Sequence, residues 1–552
     1  MFVLENPVLQ RELLVNLRMK RAFVLLAIYV ALLGAVVYAA WPEGQRLNLA
    51  RKPEEATRLV NMFFLGQYVL LSLLAPSFAA GTIVGEKERK TYEMLLASPM
   101  RPGAIVLGKL LASLAHLAVL VFCSLPIVML CLPLGGVSLY EVLGTYVAMA
   151  ASVITFGTIS IAASSYFNRT IASLVVSYLV ILPLALLGIV LYDALMAAAR
   201  TRLFMLVVVF PGICGGLCAV LWSAVTRRLM HPPDVGAEAK DVVDLEQEQQ
   251  RAVGMVIRSD QFPDRLFAPP KRVDHMADGV NPVYDKEIRS EIFGHGTLML
   301  RLVIQLSMGL ALVLMAFCLY IQPRGAPWYT SYVLLFNLLI SPVFAAGAIT
   351  NERERQTLEL LLTTTLSPWQ ILTGKLISSF RVSAVLTAFL VWPLLLACLL
   401  PPWHYKDDLV TMGAYLLILL VSALTTVTTA MCCSVLFRRT TVSMLTSYLI
   451  LLLLFALPVP MKIFADLFYR GTPLVAYVEE IQFLSPFAAT FSLPLAATRS
   501  TGRAAEMASQ VARDPGAYST AIAFLVSYMI VDVFVVAVMT WLFHIRWRAV
   551  SR

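Results

Sequence analysis

The chain has 552 residues, of which 59% are hydrophobic and 14% charged, and its mean hydropathy is +0.78. Soluble domains average about 45–50% apolar and about 25% charged residues, so this composition excludes a water-soluble globular protein and predicts that lipid surrounds most of the chain. The net charge of +9 does not indicate nucleic-acid binding, because the basic residues flank apolar segments, where anionic lipid and the orientation rule for membrane helices explain them.

The predicted elements are apolar segments of about 20 residues, long enough to cross a bilayer as α-helices. They predict an all-α, polytopic membrane protein with about twelve transmembrane helices. The first span has the basic front and small-residue exit of a signal peptide, but a similar polar stretch precedes the seventh span, which favours retention. The predicted spans are 22–41, 61–84, 104–131, 140–163, 170–192, 203–225, 298–320, 329–349, 376–400, 409–437, 440–460 and 519–543.

An amphipathic helix is predicted before the first span and again before the seventh. Asn6-Pro7 and Asn281-Pro282 are favourable helix starts, because Asn caps free amides and Pro loses no hydrogen bond at the first helical position. We predict that residues 7–20 and 282–296 lie in the cytoplasmic membrane interface. A simple lipid anchor is the alternative interpretation.

A dense charge cluster follows the second span and predicts a short cytoplasmic amphipathic helix over residues 86–99, with a copy at 352–365. Such an element would dock a soluble partner; the alternative is a solvated turn with interfacial anchors. Retention of the same residue types in both copies favours two equivalent partner surfaces. The residues expected at these surfaces are Glu86, Arg89, Thr91, Glu93, Leu95 and Leu96, with Glu352, Arg355, Thr357, Glu359, Leu361 and Leu362 in the copy.

The second half of the chain repeats the first in three ordered blocks. Asn6 to Glu12 is answered by Asn281 to Glu287, and Glu86 to Leu110 aligns without a gap to Glu352 to Leu376. The third block pairs the residues around Phe167 with those around Phe437. Three ordered matches indicate an internal duplication.

The duplication predicts two parallel six-helix units, residues 1–225 and 281–552, joined by a polar cytoplasmic linker at 226–280. An even number of spans in each unit relates them by an axis along the membrane normal. With twelve spans, 30 of the 43 Lys and Arg residues lie on the side of the termini, and the excess remains without the linker. Both termini are therefore predicted to be cytoplasmic.

The pattern Glu-x-Glu-Arg-x-Thr-x-Glu-x-Leu-Leu, followed by Ile-x-x-Gly-Lys, resembles the signature between the second and third spans of ABC type-2 transporter permeases. The resemblance covers essentially the whole chain, as a fused pair of six-span units. It implies that 86–99 and 352–365 are coupling helices and that 7–20 and 282–296 are connecting helices. Two departures stand out: Lys90 and Gln356 replace a frequent glycine, and the first half nearly lacks the external segment found around Ser485 in the second.

The resemblance implies a transport subunit, predominantly of exporters, in a bacterial-type inner membrane. Its expected partners are two cytoplasmic ABC ATPase subunits, which bind the ATP, together with membrane lipid. Gly103 to Lys109 mimics a phosphate-binding loop, but Leu110 replaces the required Ser or Thr and no strand precedes it. We therefore predict no cofactor, catalytic residue or ATPase site in this chain, and no residue identifies the substrate.

Three polar residues within spans, Asp532, His116 and Gln67, are candidates for an intramembrane polar path. A structural hydrogen bond between helices is the alternative for Asp532. The eight cysteines lie in or beside apolar stretches without metal-ligand spacing, so no metal site is predicted. A gradient-driven secondary transporter or a membrane-embedded enzyme would need more intramembrane or external carboxylates than these, which makes both the weaker hypotheses.

Overall fold

The protein was analysed as a computed structural model, and helices account for nearly all of the described residues. The chain divides into two compact units, Met1–Val256 with Ile292–Val303, and Ile257–Glu291 with Ile304–Arg552. The structure describes residues 6–17, 53–131, 138–167, 170–194, 199–230, 281–289, 297–321, 325–354, 356–399, 408–468, 473–494 and 518–550.

The first unit is organised around a single buried helix, Leu139–Tyr166, against which four other long helices pack. A capping box at Ser138 and Glu141 starts that helix. The helices of this unit are α1 (Pro7–Leu17), α2 (Pro53–Ala79), α3 (Gly81–Glu88), α4 (Tyr92–Leu96), α5 (Pro102–Cys131), α6 (Leu139–Tyr166), α7 (Thr170–Ala194), α8 (Ala199–Phe204) and α9 (Phe210–Met230), with a π-helical turn at Met205–Val209.

The second unit repeats this arrangement, with Leu409–Leu436 as its central helix. Its helices are α10 (Pro282–Arg289), α11 (Thr297–Met315), α12 (Ala326–Ala345), α13 (Thr350–Glu354), α14 (Leu358–Leu362), α15 (Pro368–Leu399), α16 (Leu409–Leu436), α17 (Thr440–Leu451), α18 (Pro458–Phe468), α19 (Pro473–Ile481), α20 (Pro486–Ser492) and α21 (Ser519–Val550). π-Helical turns follow α11 and α17, and a 3-10 turn at Gln482–Leu484 precedes α20.

The all-α, polytopic membrane architecture predicted from the sequence is confirmed. The described residues contain nine helices long and apolar enough to cross a membrane, or ten if α5, bent by 40° after Ala115, is one span. Of the twelve predicted spans, 22–41 lies outside the described residues, and 298–320 corresponds to α11, whose apolar core at Gln305–Leu319 is shorter than a full span.

Both predicted interfacial helices begin at the prolines expected from the sequence. Their described lengths are Pro7–Leu17 and Pro282–Arg289, and the remaining predicted residues lie outside the described part. The predicted coupling segments divide differently from expectation, because Glu86–Glu88 still belongs to α3 and only α4, five residues long, is separate. The copy divides in the same way into α13 and α14.

A side-chain hydroxyl from the central helix supports the break between α2 and α3. Ser164 accepts hydrogen bonds from the backbone amides of Ile83 and Val84, at 3.1 and 2.9 Å. Ser434 does the same for Ile349 and Thr350, at 2.9 and 3.1 Å. Free amides at the start of a helix need such acceptors, so each serine stabilises the start of the short helix that leads into the predicted coupling segment.

Candidate coupling segments and intramembrane polar groups

The turn that ends α3 contains Lys90, one of the two positions where the chain departs from the glycine of the family signature. The Lys90 amide donates to the carbonyl of Lys87, and the Thr91 amide to that of Glu86, at 3.1 and 2.9 Å. This pair of bonds is the Schellman pattern, which places the residue after the cap in the left-handed region and favours glycine there. Lys90 and Gln356 both have φ of 58°, so both copies keep the turn without the glycine.

The threonine and first glutamate of the signature bind each other and do not face outward. The Thr91 hydroxyl donates to a carboxylate oxygen of Glu86, and Thr357 donates to Glu352 in the same way. These contacts tie the start of the five-residue helix to the end of the spanning helix. They therefore fix the direction in which α4 and α14 leave the membrane.

The lysine of the Gly-Lys pair joins three elements in each unit. Lys109 Nζ lies 3.2 Å from Glu12 on α1, 3.3 Å from Glu86 on α3, and 3.0 Å from the carbonyl of Thr82. Its side chain is only 2% exposed. A buried lysine needs such partners, so we name Glu12, Glu86 and Lys109 the lysine node of the first unit.

The second unit contains the same lysine node, built from Glu287, Glu352 and Lys375. Lys375 Nζ lies 2.6 Å from Glu287 and 3.1 Å from Glu352, and its side chain is 4% exposed. Lys286, which is mostly exposed, adds a longer ion pair of 3.6 Å to Glu352. The node thus connects α10, α13 and α15 as its counterpart connects α1, α3 and α5.

The glycine beside each node lysine permits the interfacial helix to approach closely. A Cβ on Gly108 would lie 3.0 Å from Asn6 Nδ2 and 3.2 Å from the Leu9 amide nitrogen. Asn6 itself caps α1 by accepting from the Val8 amide and donates to the Ala104 carbonyl at 2.6 Å. Gly374 meets Asn281 at the same 3.0 Å, so the Asn-Pro and Gly-Lys blocks are two sides of one contact.

Other repeated charged side chains bind backbone groups in the turn between the fourth and fifth predicted spans and in the corresponding turn of the second unit. Lys87 Nζ donates to the carbonyls of Ser165 and Phe167, at 2.7 and 3.0 Å. Glu88 accepts from the amide of Thr170 at 2.8 Å, and Glu354 accepts from the amide of Thr440 at 2.8 Å. These charges satisfy helix-end groups, which leaves them committed to the unit itself.

The remaining residues of α4 divide into an inward and an outward face. Tyr92 is buried, and burial raises the pKa of its hydroxyl above the ordinary value, with Arg228 acting in the opposite direction. Leu96 packs against the core of the unit and Leu95 is half-buried. Glu93 and Met94 face outward, with Met94 77% exposed.

The copy, α14, has the same two faces. Leu361 and Leu362 pack against the core of the second unit, whereas Glu359 and Leu360 are exposed, Leu360 by 69%. Arg89 is exposed in the first unit, and its counterpart Arg355 lies outside the described residues. We name Arg89, Glu93 and Met94, with Glu359 and Leu360, the outward faces of the two segments.

Sequence reasoning missed Met94 and Leu360, because the two positions are not identical in the copies. The signal that would have found them is an apolar side chain in a charged segment, one position away from the leucines that enter the core. An exposed apolar side chain beside an exposed carboxylate has the chemical character of a small protein contact surface.

Two of the three polar candidates within spans have described side chains. Gln67 donates to Ser124 at 2.7 Å in the first unit, and Ser124 lies 3.0 Å from the Tyr146 hydroxyl. Asp532, 4% exposed, belongs to the second unit and receives hydrogen bonds from Thr425 and Thr428. The side chain of His116 lies outside the described part, so the described contacts place Gln67 and Asp532 in separate clusters.

The described residues contain no cluster of three or more His, Cys, Asp or Glu side chains suited to a metal ion. Cys214 and Cys218 occupy neighbouring turns of α9, and the Cys218 thiol lies 3.6 Å from the Thr155 hydroxyl. Packing and a weak hydrogen bond account for these two cysteines.

A comparison with protein families identifies the chain. A family model described as an ABC-2 family transporter protein matches residues 7–206 and 230–546. The two matched regions correspond to the two repeated halves and together cover most of the chain. No curated protein matches it. The signature residues, the repeated lysine node and this match agree, and the chain belongs to the ABC-2 family of transporter proteins.

Proposed function

We propose that this chain is the complete pair of permease units of an ABC exporter, driven by two cytoplasmic ATPase subunits that dock on the outward faces. The family supplies the general role, a membrane subunit of an ABC transporter. ATP is bound and hydrolysed by the partner subunits, and this chain supplies the path across the membrane. It resides in a bacterial-type inner membrane with both termini in the cytoplasm.

One observation carries the docking assignment. Each unit fixes a five-residue helix by a Schellman turn, a threonine–glutamate bond and a lysine node, and each then exposes one carboxylate beside one large apolar side chain. A helix held only for its own packing would not need three such supports and an exposed Met94 or Leu360. The arrangement is suited to receiving a push from a bound subunit.

The lysine nodes give this push a route into the membrane. Movement of α4 acts on Glu86 through Thr91, and Lys109 connects Glu86 to both α1 and α5. The corresponding chain in the second unit runs through Thr357, Glu352 and Lys375. Docking on the outward face is therefore linked to the interfacial helix and to a spanning helix at once.

Affinity purification of the tagged chain from its native membrane tests the proposal. Glu93→Lys together with Glu359→Lys reverses the exposed carboxylate on both faces and should abolish co-purification of a P-loop ATPase while the chain stays folded. Glu480→Lys is the matched control, because it reverses an exposed carboxylate on α19, outside both segments. It should retain the ATPase.

The two single variants extend the same experiment. If each unit holds one ATPase subunit, Glu93→Lys and Glu359→Lys should each lower the recovered ATPase to about half, unless the two subunits bind cooperatively. Retention of the full amount by the double variant would contradict docking at these faces. Absence of any ATPase with the unaltered chain would contradict the proposed partnership itself.

A further inference from the structure

The centres of the two units differ in a way that the repeated cytoplasmic ends do not. In the second unit, polar side chains from four helices are buried at one level. Asn337 on α12 donates to Thr387 on α15 at 3.0 Å, and accepts from Thr426 on α16 at 3.0 Å. Ser341 and Ser383 extend the cluster, and Asp532 on α21 bonds to the opposite side of α16.

The repeat positions in the first unit are apolar. With the register of the cytoplasmic blocks, Asn337 corresponds to Leu71, Ser341 to Ala75, and Ser383 to Leu117. All three belong to the hydrophobic core of the first unit. Phe156 belongs to the same core, and it corresponds to Thr426 in the register of the third repeated block. The second unit therefore buries polar side chains at four positions that are apolar in the first, whose own buried contact from Gln67 to Ser124 uses other positions.

Asp532 has a clear structural counterpart in Cys218. Thr155 and Thr425 are repeat positions on α6 and α16, and each faces the last long helix of its unit. Cys218 lies 3.6 Å from Thr155, and an Asp532 oxygen lies 2.9 Å from Thr425. The threonine pair is thus present in both units, whereas a carboxyl is present only in the second.

The hydroxyls around Asp532 are arranged so that they can serve either form of the carboxyl. Thr428 Oγ1 lies 2.8 Å from Asp532 Oδ1 and 3.1 Å from the carbonyl of Thr425. Thr425 Oγ1 lies 2.9 Å from Asp532 Oδ2 and 2.9 Å from the carbonyl of Val421. A hydroxyl has only one proton to donate, so each threonine donates either to the Asp532 carboxyl or to a backbone carbonyl of α16, and not to both.

Among the described residues around α21, no cationic side chain pairs with Asp532. On α15, Lys375 pairs with Glu287 and Glu352, and Arg381 bonds to the Tyr284 hydroxyl. The other titratable groups with described side chains on α15, α16 and α21 are Cys398, Tyr415, Cys432, Cys433, Tyr528 and His544; the side chains of Arg546 and Arg548, at the end of α21, lie outside the described part. Of these, Tyr528 lies one turn from Asp532 and donates to the Leu484 carbonyl at 2.7 Å.

We propose that Asp532 is a proton-binding site at the centre of the second unit, with Thr425 and Thr428 as its hydrogen-bond partners. Residue 532 is the midpoint of the span Ser519–Ile545, about 20 Å from either end along the helix. An ionised carboxylate without a cation is costly at that depth. The oxygen–oxygen distances of 2.8–2.9 Å are those of hydrogen bonds.

Proton uptake requires only a rotation of one hydroxyl. In the ionised state both threonines donate to the carboxylate. When Asp532 Oδ1 takes a proton from a hydronium ion, leaving water, the new O–H donates to Thr428 Oγ1, and Thr428 turns its own proton to the Thr425 carbonyl. Thr425 continues to donate to Oδ2, so every polar hydrogen keeps an acceptor and α16 stays bonded to α21.

Infrared spectroscopy of the full chain in lipid nanodiscs tests this inference without any substrate or ATPase. The acid-minus-alkaline difference spectrum should contain a carbonyl band of a protonated carboxyl that is absent from Asp532→Asn. Cys218→Asp is the matched gain variant, because Thr155 and Thr158 offer the same two hydroxyls, and it should add a second such band. Superimposable spectra of the parent chain and Asp532→Asn would overturn the proposal.

A further variant keeps the carboxyl and removes one partner, in case Asp532→Asn does not fold. Thr428→Val should move the carboxyl band to higher frequency, because the protonated group loses a hydrogen-bond partner. An unchanged band would show that the contact is wrong and would overturn the proposal. Loss of the band on adding sodium at constant pH would also overturn it, since a metal ion would then be the ligand.

Discussion

The ends that contain the lysine nodes and the centres of the two units have diverged to different extents. At the node end, the lysine node, the Schellman turn and the serine that accepts from two backbone amides recur in both units. At the centre, the second unit has Asn337 where the first has Leu71, and Asp532 where the first has Cys218. The difference indicates that both ends perform one task, whereas the two centres perform separate ones.

Removing the node lysines should produce the largest effect, and the same effect in both units. Lys109→Met removes the buried cation between Glu12 and Glu86, and Lys375→Met removes the one between Glu287 and Glu352, where the mostly exposed Lys286 still lies 3.6 Å from Glu352. Breaking a buried ion pair costs about 3–5 kcal/mol. We expect about 3 kcal/mol here, because the carboxylates are partly exposed, and a matching fall in the thermal unfolding midpoint of the purified chain.

A matched control separates lost attraction from lost packing. Glu12→Gln with Glu86→Gln, added to Lys109→Met, removes the repulsion and should recover much of the stability. A large loss in one unit and none in the other would break the comparison, because it would show that the repeated node has different roles at the two ends.

Exchanging the central residues should have unequal effects. Leu71→Asn places an amide in an apolar core, which costs about 2–4 kcal/mol when no partner is present. Asn337→Leu leaves Thr387 and Thr426 to bond to their own helix carbonyls, as both already do, so we expect about 1 kcal/mol. Thermal unfolding of the two variants side by side measures the difference, and equal losses would contradict a specialised centre in the second unit.

Glycine in the Schellman turns should have the smallest effect, and a favourable one. A non-glycine residue in the left-handed region costs about 1 kcal/mol. Glycine removes this strain but loses more conformational entropy on folding, which offsets part of the gain. Lys90→Gly and Gln356→Gly should therefore each stabilise the chain by less than about 1 kcal/mol. Lys90→Ala is the control and should give no gain, whereas a loss with Lys90→Gly would indicate that the lysine side chain itself is needed.

The sequence predicted the architecture well because its signals are local. Apolar runs, the Asn-Pro helix starts and the constant register between the halves predicted the helical class, the helices that begin at Pro7 and Pro282, and the duplication. The family resemblance drawn from Glu86 to Leu110 is confirmed by the family match. The docking role of the two segments and the twelve-span count stay predictions.

The arrangement within the site was less accessible from the sequence. Glu86 and Thr91 are polar residues of the kind expected at a docking surface, but a hydrogen bond between their side chains, five positions apart, turns them inward. The lysine node joins residues nearly a hundred positions apart, and no periodicity reveals such a contact. Asp532 looked isolated because the register that pairs it with Cys218 differs from the register of the cytoplasmic blocks, and only contacts with the threonine pair show it.

The single carboxyl at Asp532 has a consequence for stoichiometry. A permease assembled from two identical one-unit chains carries any buried acid either twice or not at all. Joining both units in one polypeptide removes that restriction, since Cys218 and Asp532 occupy equivalent positions and only one of them is an acid. Gene fusion thereby makes an odd number of membrane charges available to the transporter.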